Sequence, residues 1–224
     1  MSLSVTRSAS YRRLANYVQA LVAVCCLGVA AAPAPAMART VKLVALGDSL
    51  TAGYGLAPGQ AFPEVLQRAL RAKGHDVEVI NAGVSGETAE DGLARYDWSV
   101  PEGTDALIVE LGANDMLRGM PPAGAKAALS EILTKAKAAK VATLLTGMLA
   151  APNLGAAYQK SFYAIYPDLA RQFGVDLYPF FLDAVAADPK LNQKDGLHPN
   201  KEGVEKIVAA ILPSVEKLLA ETPR

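Results

Sequence analysis

The chain is poor in the residues that build covalent or metal-centred sites. It has two cysteines, Cys25 and Cys26, and two histidines, His75 and His198, in 224 residues. Both cysteines lie in an N-terminal segment that reads as an export signal, so the exported protein is expected to carry no thiol and no disulfide. That excludes a cysteine nucleophile, a zinc–cysteine centre and a disulfide scaffold together. A large excess of either charge is missing too. The chain holds 22 Lys and Arg against 22 Asp and Glu, and without residues 1–38 the balance is 19 against 22, a formal charge of −3. No basic stripe is available for nucleic acid.

The longest apolar run, Ala20–Ala32, falls short of a membrane span, which needs about 18 residues or more. Arg7, Arg12 and Arg13 precede it, and Pro33, Pro35 and the A-x-A pattern Ala36-Met37-Ala38 follow it. These features predict a signal peptide over 1–38 cleaved after Ala38, a periplasmic or secreted protein, and no stable membrane anchor after cleavage. A retained N-terminal anchor is the alternative. A lipoprotein fits poorly, because Val24 precedes Cys25, and Arg12-Arg13 also permits a twin-arginine route. Residues 39–224 suit one domain, able to bury about 70% of its unfolded surface. No repeat or low-complexity tract suggests more.

Within that domain, short apolar runs alternate with longer amphipathic ones, which predicts strand–helix–strand units and a parallel sheet. Residues 41–46, 105–111 and 141–147 are nearly continuous in Val, Ile and Leu, as strands covered on both faces are. Residues 76–83 alternate, and 174–180 are a weaker fifth strand. Helices are predicted around Phe62, Val65, Leu66, Ala69 and Leu70 with Gly74 as the stop, over 122–139, over 158–173 with a disturbance near Pro167, and along the stripe Val204, Ile207, Val208, Ile211, Val215 and Leu218, which Pro213 should kink or divide. The fold class that follows is α/β, a three-layer α/β/α sandwich around a central sheet of about five parallel strands. Ligands bind such sheets at the carboxyl ends of the strands.

Polar, glycine-bearing loops fall at that edge. The first three confident strands run into Gly47-Asp48-Ser49, into Asn81-Ala82-Gly83-Val84-Ser85-Gly86 and into Gly112-Ala113-Asn114-Asp115, and Asp195-Gly-Leu-His198 precedes the last helix. Alone, Ser49 is either a nucleophile or a turn serine. Ester cleavage by serine needs a hydroxyl, a base, a group orienting the base and donors for the oxyanion. His75 opens a strand at the amino edge and reads as a solvated turn residue, which leaves His198 as the base. Asp195, three residues earlier, can orient it. Gly83 and Asn114 fit the donor roles, with the backbone amide of Ser49 as the third.

In order and spacing, "GDSLTAGYG", "NAGVSGET", "GANDMLRG" and "DGLHPN" resemble the four sequence blocks of the SGNH (GDSL-type) hydrolases, and the likeness spans residues 41–212. Within that family the chain is most similar to small exported bacterial arylesterases and multifunctional thioesterase/lysophospholipases. The resemblance implies a flavodoxin-like SGNH fold. It implies Ser49, Asp195 and His198 as the catalytic triad, and Ser49, Gly83 and Asn114 as the oxyanion hole. It also implies a mobile segment beside the acyl groove, at 148–158. The implied activity is hydrolysis of aryl or short-to-medium acyl esters, and of acyl thioesters or lysophospholipids, through an acyl-serine, without cofactor or metal. The partner is a small ester or thioester, and a monomer is favoured.

Other readings have less to build on. An α/β-hydrolase wants G-x-S-x-G, and "GVSGE", with Ser85 in the nucleophile place, ends on Glu87. No phosphate-binding glycine motif opens a helix. A carbohydrate O-deacetylase of the same family would share the triad but prefer a polar groove, and Leu50, Leu56, Met116 and Leu117 near the loops lean towards acyl or aryl esters. A non-catalytic exported binding module would not need every catalytic residue type. Asp48 and Asp115 read as carboxylates bracing their loops, and Glu110, in an apolar strand, as a hydrogen-bonding group behind the site.

Overall fold

In the computed structural model, which describes residues 39–222 with residue 184 excepted, the apolar runs form five strands. They are β1 (Val41–Gly47), β2 (Val77–Gly83), β3 (Ala106–Glu110), β4 (Ala142–Thr146) and β5 (Asp176–Tyr178). All pair in parallel, in the order β2-β1-β3-β4-β5. Leu43–Leu46 and Ala106–Val109 have essentially no exposed surface. These strands lie inside the sheet with helices over both faces, so neither face selects polar residues and the sequence runs apolar without alternation. The edge strand β2 is only partly buried, and its burial does not follow the alternation of its sequence.

The helices are α1 (Ser49–Ala52), α2 (Phe62–Ala72), α3 (Ala89–Ala94), α4 (Tyr96–Ser99), α5 (Ala113–Leu117), α6 (Pro122–Ala138), α7 (Ala156–Tyr163), α8 (Ile165–Phe173) and α9 (Lys201–Ala220). α2 and α9 pack together over one face, and α3, α6 and α8 over the other. Fully buried Leu66, Leu70, Leu129, Ile132 and Ile211 close the layers, each worth about 1.5–3 kcal/mol in transfer terms. The signal peptide expected over 1–38 lies outside the described residues. Among the described residues no helix is long and apolar enough to cross a membrane.

Of two prolines expected to disturb their helices, one does and one does not. The 158–173 helix is divided at Ala164, three residues before Pro167. A proline ring collides with the carbonyl four residues earlier, here that of Tyr163, where α7 ends. Pro167 is then the third residue of α8, in the first turn, where no intrahelical partner exists for its missing amide. Pro213, in contrast, neither divides nor ends α9, which runs unbroken from Lys201 to Ala220. Pro213 is exposed, so water can satisfy the freed carbonyl of Ala209, while the buried stripe Ile207, Ile211 and Val215 holds both halves to the sheet.

The strand order reverses at β1, which has β2 on one side and β3 on the other. The crevice at the carboxyl ends of β1 and β3 is the switch point where this order of sheet binds ligands.

Candidate active site

Ser49 stands at the switch point because β1 turns directly into α1. The side chain of Asp48 caps that turn, its Oδ1 accepting from the Leu50 amide at 3.0 Å, and Gly53 ends it in the left-handed region at φ 82°. Gly47 admits no side chain: a Cβ there would collide with Thr51 and stand 2.7 Å from Glu110 Oε2. The glycine therefore lets α1 fold back onto β3, which presents Ser49 half-buried at the sheet edge.

The loop before α9 supplies its partners. Gly196, at φ 71°, bends the chain so that Asp195 Oδ1 accepts from the amides of Leu197 (2.9 Å) and His198 (3.0 Å). Asp195 Oδ2 lies 2.7 Å from His198 Nδ1, and His198 Nε2 lies 2.9 Å from Ser49 Oγ. The carboxylate accepts at Nδ1, so Nδ1 carries the proton and Nε2 is free to accept from the serine hydroxyl. The two amides, with the ring N–H, lower the Asp195 pKa to about 2. It stays an anion wherever the imidazole can act as a base.

Two residues that sequence reasoning missed hold this loop against Ser49. The Gln193 amide donates to His198 O at 2.7 Å, and its Nε2 donates to Tyr54 O at 2.7 Å and Pro199 O at 3.0 Å. The Tyr54 ring lies against the imidazole with centroids 4.7 Å apart. A glutamine in a polar loop and a tyrosine after a glycine leave no periodic signal.

The donor set differs from expectation at one position. The Gly83 amide donates to Asn81 Oδ1 at 3.0 Å, inside its own loop, and a Cβ at Gly83 would press on the backbone of Thr51 and Ala52. Gly83 thus seats α1 on β2, and its amide is not free to meet an oxyanion. Further along the same loop, Gly86 turns at φ 86°, its carbonyl accepts from Arg118 at 2.5 Å, and its amide has no acceptor among the described residues. The Ser49 amide is likewise free there. The one signal for Gly86 was the Ser-Gly pair itself, a turn marker. Asn114 Nδ2 donates to Asp48 Oδ2 at 3.0 Å and to Glu87 O at 2.9 Å, so the third loop is keyed to the first and second.

Behind these groups lie carboxyls. Asp48 and Glu110 have no exposed surface. Burial raises the Asp48 pKa to about 6 and pushes Glu110 well above the usual carboxylate range. Asp115, expected to brace its own loop, reaches across to the start of α3, its Oδ2 accepting from the Ala89 amide at 2.9 Å. Ser85 is exposed in its turn. Three expectations are corrected. His75 is not simply solvated, because its Nε2 meets Glu216 Oε1 of α9 at 3.0 Å. Leu50 and Met116 face the core and are buried. Leu117, at the end of α5, is exposed as expected, and Tyr54, Val84, Leu149 and Leu197 are further exposed apolar side chains in segments that follow the strands or precede α9. Among the described residues, no three His, Cys, Asp or Glu side chains gather where a metal ion could be held.

Known proteins resemble this chain along most of its length. Residues 45–206 match the GDSL-like lipase/acylhydrolase family. An arylesterase of Vibrio mimicus is 40% identical over 179 residues, which cover 80% of this chain and 90% of that one. Thioesterase 1/protease 1/lysophospholipase L1 of Escherichia coli K12 is 40% identical over 161 residues, covering 71% and 76%. Among solved structures, AlinE4, an SGNH-hydrolase family esterase, is 48% identical with a TM-score of 0.69, over 82% of this chain and 98% of that one.

Proposed function

Since the chain belongs to the GDSL-like lipase/acylhydrolase family and is a carboxylic ester hydrolase, we propose that Ser49, His198 and Asp195 carry out the hydrolysis in two acyl-transfer steps. His198 Nε2 takes the Ser49 proton as Oγ attacks the carbonyl, and Asp195 stabilises the imidazolium that forms. The Ser49 and Gly86 amides and the Asn114 side chain receive the oxyanion. His198 then protonates the leaving alcohol, and water repeats the sequence to free the acid. The observation that carries this reading is the continuous chain Asp195 Oδ2, His198, Ser49 Oγ, with links of 2.7 and 2.9 Å at a switch point.

The substrates proposed are aryl and short-to-medium acyl esters, with acyl thioesters and lysophospholipids as further members of the class. The five exposed apolar side chains favour an acyl or aryl group over a polar sugar ester. The segment 148–158, which carries Leu149, forms one wall of the acyl groove. The protein acts in the periplasm or outside the cell, as a monomer, with the first 38 residues removed.

Ser49→Ala should abolish hydrolysis across a chain-length series of p-nitrophenyl esters and acyl thioesters while the circular dichroism spectrum stays that of the parent. Turnover by the variant would sink the nucleophile. The mass of the exported protein should place its N-terminus at Arg39, and a full-length mass would sink the cleavage.

A further inference from the structure

Two carboxyl groups, Asp48 and Glu110, neighbour each other beneath Ser49, the Asp48 amide reaching Glu110 Oε2 at 3.4 Å, and both are without exposed surface. No Lys, Arg or His among the described residues bonds to Glu110. Two adjacent anions without a cation cannot be kept in such a place at acceptable cost, so at least one proton resides there.

The hydrogen bonds say on which carboxyl it resides. Both oxygens of Asp48 already meet donors: Oδ1 the Leu50 amide at 3.0 Å, Oδ2 the Asn114 Nδ2 at 3.0 Å. Glu110 Oε2 also accepts twice, from Thr51 Oγ1 at 2.8 Å and the Asp48 amide at 3.4 Å. Glu110 Oε1 is buried and has no donor. A carboxylate oxygen left so is costly, whereas a protonated carboxyl is itself a donor, and Asp48 is the carboxylate that neighbours Glu110. From this we infer that Glu110 is a neutral acid that donates its proton to Asp48 and so keeps Asp48 an anion aimed at Asn114.

Glu110 is thus a positioning residue, acting through Asp48 on the side chain that the functional reading above assigns to the oxyanion; its kinetic effect rests on that reading. The pKa directions agree with the assignment: burial and the neighbouring Asp48 charge push Glu110 well above the usual carboxylate range, while the bond from Glu110 lowers Asp48. The other titratable groups around the pair are His198, which lowers Asp48, and buried Tyr166, whose hydroxyl donates to Leu111 O at 3.0 Å. Arg95 reaches the Gly47 carbonyl at 3.0 Å but is paired with Glu87.

Carboxyl NMR of the protein isotope-labelled in its glutamate side chains tests this without turnover. At neutral pH one resonance should stand at the shift of a protonated acid and be missing from Glu110→Gln, and a spectrum with every glutamate at the carboxylate shift would overturn the inference whatever Ser49 does. In ester hydrolysis, Glu110→Met should lower kcat about tenfold, the cost of one hydrogen bond to a charged group, with KM nearly unchanged. It should also move the acid limb of kcat to higher pH, because Asp48 without its donor holds a proton more tightly. Glu110→Gln, which keeps an acceptor and a donor, should restore both. A Gln variant as slow as the Met variant would overturn the inference, since an anion would then be what the site needs. Should the Met variant not fold, the spectrum and the Gln variant decide alone.

Discussion

Asn114 is where the three loops meet, and its side chain has two hydrogens and two acceptors, Asp48 Oδ2 and Glu87 O. In the proposed mechanism an oxyanion arriving from Ser49 competes with the neutral Glu87 carbonyl, while the charged Asp48 keeps the amide turned the right way. Preorganised donors of this kind are worth more than their hydrogen bonds in water, because nothing has to reorient as charge develops. Asn114→Ala should therefore cost about 10² to 10³ in kcat with little change in KM. Steady-state kinetics on one chromogenic ester checks this, and a loss under about threefold would remove Asn114 from the oxyanion hole. Residue by residue, the candidate site was legible where chemistry left no choice. One histidine at the carboxyl edge, with an aspartate three positions before it, left a single candidate base and a single candidate orienter, and the structure brings both to Ser49. The donors were harder to place. The second loop has glycines at both 83 and 86, and only the three-dimensional turn reveals that one amide is used by Asn81 while the other is free.

Among the elements, the central strands were legible because burial on both faces writes itself as uninterrupted Val, Ile and Leu. The short helices α1, α3, α4 and α5, of four to six residues, are too brief to show a period and follow from caps instead, such as the Thr88–Asp91 capping box that opens α3. Prolines were legible as disturbances but not in their consequence, which depends on the face they occupy. Pro213 is exposed and lies inside a helix held by buried neighbours on both sides. Replacing it with alanine returns an amide donor to Ala209 and relieves the ring's clash. The gain of about 3 kcal/mol seen in helix interiors is reduced by the greater freedom of the unfolded chain. Pro213→Ala should stabilise the protein by about 1 to 3 kcal/mol, read as a higher urea midpoint with kcat unchanged.

For the whole molecule, the fold gathers its strained electrostatics at one edge of the sheet, and that makes stability depend on pH in an unusual direction. Carboxylates held low, Asp195 at about 2 together with Asp91, Asp105, Asp168 and Glu216, strengthen the fold as pH rises, but only up to the unfolded values near 4, and most lie at the surface where solvent screens them. Asp48, Glu110 and Asp115 act oppositely. Each binds its proton more tightly folded than unfolded, so the folded state holds more protons above pH 4 and stability falls as pH rises. For Asp48 alone, the interval from the usual 3.8 to about 6 corresponds to a loss of about 3 kcal/mol, complete once pH exceeds the folded value. Maximum stability should accordingly lie near pH 4 to 5, on the acid side of the usual range of about 5 to 8. Urea midpoints measured from pH 4 to 8 should decline steadily, and a midpoint that rises over that span would contradict the assignment. Asp48→Asn removes one of the titrating groups, so the decline should become shallower. It also removes the charge that orients Asn114, so kcat should drop in the same variant: the ionised Asp48 that lowers stability at neutral pH is the one that keeps the oxyanion donor in place.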